Sequence, residues 1–241
     1  MHLTYPPQQL RAVARVASVE LQDASAHDVI HWAATTFPGR VLISQSMANT
    51  ALARLAQDVA PAIPIVFLDT GYHFDETLAT RDSLRARTGS TVLNITPAKS
   101  VAEQDAQFGP DLWARDPDLC CRLRKVQPME ALLQDYLVWV SGMRIAAAPH
   151  RAGTPMVSYD EQNRVIRVHP LLHWTDDDLQ RYTSDHDAVV NPLMNAGYPS
   201  IGCAPCTRPI SQGEDPRAGR WHGMDKTECG LHVNLVPRIS R

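Results

Sequence analysis

The chain has 241 residues, 44% of them hydrophobic and 20% charged, which is enough for one large domain or two small ones and excludes intrinsic disorder. A formal net charge of −3 speaks against general nucleic-acid binding but leaves room for a local basic site that takes a small anion. Met1–Pro7 lacks the charged and apolar regions of a signal peptide, and no apolar run approaches the roughly 18–20 residues that span a bilayer, so the expectation is a cytoplasmic protein with no membrane and no nucleic-acid partner.

The first forty residues carry helical spacing. Leu10, Val13, Val16 and Ala17 form one stripe, and Ser25 is placed to cap a second helix bearing Val29, Ile30, Ala33 and Ala34. Val41–Ser44 is a short apolar run with the look of a buried strand, followed by a polar turn and a helix that begins at Ala51. Ile65–Leu68 is a second strand and ends in Asp69-Thr70-Gly71. A helix from about Glu76 to Arg87 then leads to a third strand at 91–95. Strand and helix alternate, which predicts right-handed βαβ units and a mostly parallel sheet flanked by helices. Ligands of such sheets gather beyond the carboxyl ends of the strands, so the turns at Ser44 and Asp69 are candidate anion contacts.

From Cys121 to about Gln134 the pattern is helical, with Leu123, Val126, Leu132 and Leu133 inward and Arg122, Arg124 and Lys125 beside the cysteines. Pro128 must kink or restart that helix, since it has no N–H to give. A strand at 137–140 ends in Ser141-Gly142-Met143-Arg144, and 154–159 with 164–169 forms a hairpin. Thr175 caps an acidic helix. Beyond Asn191 periodicity fades, yet the stretch is rich in cysteine, arginine and glycine, and no internal repeat or domain boundary stands out.

Five cysteines carry the chemistry: the vicinal pair Cys120 and Cys121, then Cys203 and Cys206 in a C-x-x-C after 81 intervening residues, and a lone Cys229. In a reducing cytosol, grouped cysteines read as metal or catalytic residues before structural disulfides. Four thiolates suit a 4Fe-4S cluster, with a tetrahedral zinc site as the rival. A thioredoxin-like redox pair at Cys203 and Cys206 needs a strand before it and a helix after it, which the flanking prolines and glycines do not favour. The fifth cysteine, near His222, Lys226 and His232 in sequence, is the candidate thiolate nucleophile.

Asp118-Leu119-Cys120-Cys121-Arg122-Leu123-Arg124-Lys125, Gly197–Pro209, Gly213–Trp221 and Lys226-Thr227-Glu228-Cys229-Gly230-Leu231-His232, with Phe67–Gly71, resemble the assimilatory sulfonucleotide reductases over roughly Ser44 to His232. The resemblance implies a fold of the adenine nucleotide alpha-hydrolase (PP-loop) type and a single domain, 1–241, whose irregular and mobile C-terminal segment, from about residue 210, carries the catalytic cysteine and closes the site. Relatives with both Cys-Cys and C-x-x-C bind a 4Fe-4S cluster and generally reduce adenosine 5′-phosphosulfate (APS); those lacking the four cysteines reduce the 3′-phosphorylated form, PAPS. The resemblance therefore favours APS, with PAPS or dual specificity as the alternative. One departure stands at the turn after the first strand. There the family often has Ser-Phe-(Gly/Gln)-Ala-Glu-Asp, and this chain has Ser44-Gln45-Ser46-Met47-Ala48-Asn49, without either acid.

By the same resemblance Cys229 attacks the sulfate sulfur, AMP leaves, and an S-sulfocysteine forms. Thioredoxin, or a glutaredoxin-like dithiol donor, then releases sulfite by thiol–disulfide exchange. The attack brings an anion to an anion, so cations are required. Lys125, Arg151, Arg217 and Arg220 are the candidates, Arg144 a weaker one, and Ser44, Asp69, Thr70, Gly71, Gly142 and His232 complete the expected substrate contacts. The cluster is expected to tune electrostatics through Lys125 and not to carry electrons. Homo-oligomerisation is left open. A reading from another class, a non-catalytic redox sensor holding iron or zinc, predicts partner binding in place of turnover.

Overall fold

The computed structural model describes residues 5–231. Helices α1 (Pro7–Glu20) and α2 (Ala26–Thr36) open the chain. Pro7 suits the first helical position because its missing N–H has no intrahelical partner there in any case. The Ser25 side chain accepts from the Asp28 backbone N–H and caps α2 as its sequence predicts. In α1 the buried stripe is Leu10, Ala14 and Ala17; Val16, expected inward, lies one position off that stripe and is 51% exposed.

The sheet comprises β1 (Val41–Ser44), β2 (Ile65–Leu68), β3 (Val92–Ile95), β4 (Val138–Ser141), β5 (Val157–Asp160) and β6 (Val165–Val168), in the spatial order β3-β2-β1-β4-β6-β5. Every neighbouring pair is parallel except the β5–β6 hairpin at the edge. That hairpin turns where the Asp160 carboxylate accepts the backbone N–H groups of Gln162 and Asn163. Helices α3 (Ala51–Val59) and α4 (Asp75–Thr88) carry the chain from β1 to β2 and from β2 to β3. The chain then returns through α5 (Val101–Phe108), α6 (Leu112–Arg115), α7 (Pro117–Cys121) and α8 (Gln127–Leu133) to lay β4 against the other side of β1.

Both faces of the sheet are covered, which is why its strands read as continuous apolar runs and not as alternating ones. Ile43, Ile65, Phe67, Val138, Val140 and Ile166 pack on one side with α1 and α2. Leu42, Val66, Trp139 and Val165 pack on the other with Met129 and Leu133 of α8. The last helix, α9 (Asp176–Asp185), starts at a capping box between Thr175 and Asp178. Among the described residues no helix is long and apolar enough to cross a membrane.

The helix expected from Cys121 to Gln134 is interrupted. Pro128 cannot donate, and Arg122–Val126 forms a π turn in which the Gln127 N–H reaches the Arg122 carbonyl. The changed period rotates the following side chains. Arg124 is buried at 4% exposure, while Leu123, Val126 and Leu132, expected inward, are only half-buried.

Candidate active site

The strand order reverses between β1 and β4, and in open α/β sheets the crevice beyond such a switch point receives ligands. Ser44 and Ser141 end those two strands in register. The Ser44 hydroxyl accepts from Trp139 Nε1 at 2.8 Å. Gly142 follows at the crevice, where a Cβ would stand 3.7 Å from Leu52. The turn after β1 is held by residues with no sequence signal: Thr50 N–H donates to Val189 O, Asn191 N–H to Ala48 O, and the fully buried Asn191 side chain donates to Met47 O.

At the end of β2, Asp69 is tied to its own turn, to β3 and to α4. Its carboxylate accepts from Gly71 N–H at 3.1 Å, Asn94 Nδ2 at 3.3 Å and Arg81 at 3.4 Å. These contacts shape the turn after β2. Thr70 is fully buried with its hydroxyl 3.3 Å from Cys203 Sγ. Gly71, at φ +73°, leaves only 3.1 Å between the place of a Cβ and the Arg124 guanidinium, so a side chain there meets both strain and a clash. Arg124 donates to the Thr70 carbonyl and, at 3.1 Å, to Gln104, and it lies 5.2 Å from the Tyr72 ring centre. Sequence placed Arg124 only in a basic cluster; the π turn makes it the cross-link between the cysteine pair and the β2 turn.

Cys120 and Cys121 end α7, and Cys203 and Cys206 flank a single 3₁₀ turn. All four are buried free thiols lining one cavity together with Lys125 and Arg220. Neither a strand nor a long helix frames Cys203, as a thioredoxin-like pair requires. Burial, with Cys203 and Cys206 nearby, pushes the Cys120 thiol up to about 11, and burial also raises Cys206. Crowded, desolvated thiolates are soft donors whose mutual repulsion a positively charged centre relieves, so the donor set fits a metal cluster. Among the described residues no three His, Cys, Asp or Glu side chains converge as ligands of one ion; the thiols ring a space.

Trp221, 2% exposed, packs on Cys203 and Cys206 and donates its backbone N–H to Cys206 O at 3.0 Å. Arg220 lies 4.3 Å from that ring centre. It can do so because residue 202 is glycine: a Cβ there would stand 2.3 Å from the guanidinium.

Cys229 is half-buried against the same cluster. A hydrogen bond from the Cys121 thiol, with Lys125, the Leu231 backbone and Arg220 adding to it, outweighs burial and holds Cys229 well below the ordinary thiol range. Burial would lower the Lys125 ammonium, but Cys203, Cys229 and Cys121 outweigh it and hold it charged. Lys226, a sequence neighbour of Cys229, instead pairs with Asp118. His222 lies beside Arg208. His232 lies outside the described residues.

The expected cations separate into groups. Lys125 and Arg220 face the thiol cavity. Arg151 and Arg217 converge on the buried Glu228, a residue that sequence reasoning passed over although it adjoins Cys229. Arg144 pairs with Asp176 at 2.7 Å.

The model of the phosphoadenosine phosphosulfate reductase domain matches residues 40–209. The chain belongs to that family. Among curated members, the adenosine 5′-phosphosulfate reductase of Streptomyces coelicolor is 48% identical over 93% of this chain and 95% of its own. The protein of the same name from Mycobacterium tuberculosis (strain H37Rv) is 47% identical over 96% and 97%. In fold, the chain is similar to a phosphoadenylyl-sulfate reductase from Candida auris in a phosphate complex (TM-score 0.72, 22% identity, covering 87% of this chain and 100% of that one). It is also similar to the FMN adenylyltransferase of Candida glabrata (TM-score 0.55, 14% identity, covering 86% and 79%). The family model ends at residue 209, before Trp221 and Cys229.

Proposed function

We propose that this family member reduces adenosine 5′-phosphosulfate to sulfite and AMP in assimilatory sulfate reduction for cysteine biosynthesis. Near full-length likeness to adenosine 5′-phosphosulfate reductases supports the substrate. The observation that carries the mechanism is the position of Cys229, half-buried against the four-cysteine cavity that Lys125 and Arg220 also line.

Cys229 thiolate attacks the sulfate sulfur, the bond from sulfur to the bridging oxygen breaks, and AMP leaves with that electron pair. An S-sulfocysteine remains. A thioredoxin thiolate, or that of a glutaredoxin-like dithiol, attacks Cys229 Sγ, and sulfite departs with the electrons of the S–S bond. The second thiol resolves the mixed disulfide, so the dithiol supplies both electrons. Lys125 and Arg220 offset the repulsion between the incoming thiolate and the substrate's charge. Arg151 and Arg217 are proposed to hold the phosphosulfate oxygens, with Ser44, Thr70, Gly71 and Gly142 lining the nucleotide side.

Cys120, Cys121, Cys203 and Cys206 would hold a 4Fe-4S cluster, which supplies charge that tunes the site electrostatically. With Cys121 bound to iron, its thiol would no longer donate to Cys229, and Lys125 and Arg220 are the side chains left to favour the thiolate against burial. The reading places one domain in the cytoplasm, with the segment from about residue 210 moving to admit substrate and then the dithiol donor. The test is anaerobic incubation with APS followed by intact mass measurement. The expected result is one SO₃ adduct, absent in Cys229→Ser and discharged by reduced thioredoxin; adduct formation in Cys229→Ser would overturn it. PAPS run in parallel reads the preference between the two nucleotides.

A further inference from the structure

Glu228 is an acid set among cations, one residue before the nucleophile. Its side chain is 8% exposed. One oxygen accepts from Arg151 Nε at 2.9 Å and His150 Nε2 at 3.0 Å. The other accepts from Arg217 at 3.2 Å and from the Cys229 backbone N–H at 3.3 Å. His150 and Arg151 belong to a 3₁₀ turn in the loop after β4, whereas Arg217 lies in the irregular C-terminal stretch. A carboxylate thus draws together arginines from two parts of the chain that would otherwise repel each other. Below the thiol the same segment is anchored a second time, where Arg167 donates to the Leu231 carbonyl at 3.1 Å and Leu231 packs on the core around Trp139.

We propose that Glu228 is a placeholder for the substrate's anion. Its carboxylate occupies the position formed by Arg151, Arg217 and His150 until the phosphosulfate displaces it. This rests on the proposed role of Arg151 and Arg217 toward the nucleotide. An arginine fork that chelates a carboxylate has the shape to take two phosphate or sulfate oxygens instead, but not both anions at once. Closure over an empty site and binding of substrate therefore use the same cations in alternation, and the buried Arg151 with the half-buried Arg217 keeps a counter-charge in either state. Glu228 sets affinity by competition and acts on Cys229 by positioning it.

The experiment compares AMP binding to cluster-loaded wild type, Glu228→Gln and Glu228→Asp by calorimetry at low salt. A carboxylate that fills the position about nine-tenths of the time weakens the apparent affinity about tenfold. The glutamine variant is then expected to bind AMP about tenfold more tightly, with the KM for APS falling by a similar factor, and the aspartate variant to return toward wild type. Unchanged or weaker AMP binding by Glu228→Gln overturns the proposal. Trypsin cleavage after Lys226 in the wild type provides a readout that needs no variant. Saturating AMP should accelerate it as Glu228 is released, and an unaltered or slower rate overturns the proposal. Wild-type sulfite release from APS separates the two levels. Turnover with no change in AMP affinity sinks the placeholder alone; tighter AMP binding without turnover leaves the anion competition standing and sinks the reductase reading.

Discussion

A sulfur nucleophile must be ionised near neutral pH, yet an unperturbed thiol has a pKa of about 8.5. With Cys121 taken up as a cluster ligand, Lys125, the Leu231 backbone and Arg220 are what favours the Cys229 thiolate against burial. Lys125 is the residue whose position serves the thiol and the four-cysteine cavity together. Lys125→Ala in cluster-loaded protein is expected to lower kcat/KM for APS at least about tenfold, the scale of one lost electrostatic donor. Arg144 bonds Asp176 and the Trp174 carbonyl, away from the cavity. Arg144→Ala should therefore leave kcat/KM within about twofold, since the pair it breaks has an exposed partner. Steady-state kinetics on the two variants checks both expectations, and an inverted order would mean that the cations are assigned to the wrong places.

At the level of elements, the π turn Arg122–Val126 couples the cysteine pair to the β2 turn by burying Arg124. Arg124→Met removes the donor to the Thr70 carbonyl and to Gln104. A lost hydrogen bond to a charged group costs about 1.5–3 kcal/mol, and buried acceptors are left unsatisfied. Because Thr70 touches Cys203, the expected outcome is a lower midpoint in urea together with reduced iron content on purification. Ser25→Ala provides the contrast. It removes the cap of α2, far from the cysteines, and should cost about 1 kcal/mol with iron content unchanged. Equal loss of iron in both variants would show that Arg124 acts only through global stability.

The whole molecule is a mostly parallel sheet and a C-terminal stretch that, among the described residues, has little secondary structure of its own. Cys203 and Cys206 lie in that irregular part, while Cys120 and Cys121 lie on the return path from β3 to β4. A ligand joining the two pairs stabilises the contact by mass action without affecting the strands directly. On the proposed cluster reading, oxidative or chelator removal of the metal should expose the stretch from Gly202 to Cys229 to proteases, while the circular dichroism of sheet and helices persists. Loss of strand signal together with the iron would refute this division. Fold class was legible before any coordinates. Strands at Val41, Ile65 and Val92 announced themselves as short apolar runs between helical stretches, and Ser25 and Thr175 marked helix starts by their capping chemistry. The five thiols and Lys125 stood out in the sequence, because few other chemistries use that set, and the fold brings them together. What stayed hidden depended on contact between distant segments: Arg124 turned inward, Asp69 turned to Arg81, and Asn191 pinned the turn after β1.

The sequence alone determined the alternating architecture and the identity of the thiols, since periodicity and ligand type are local properties of a chain. Only the tertiary structure decided which cation meets which anion. Ion pairing depends on distances between residues far apart in sequence, as when Arg151 and Glu228 meet across 77 positions. That is why Lys226 pairs with Asp118, and why a glutamate passed over in the sequence came to hold two of the expected substrate arginines.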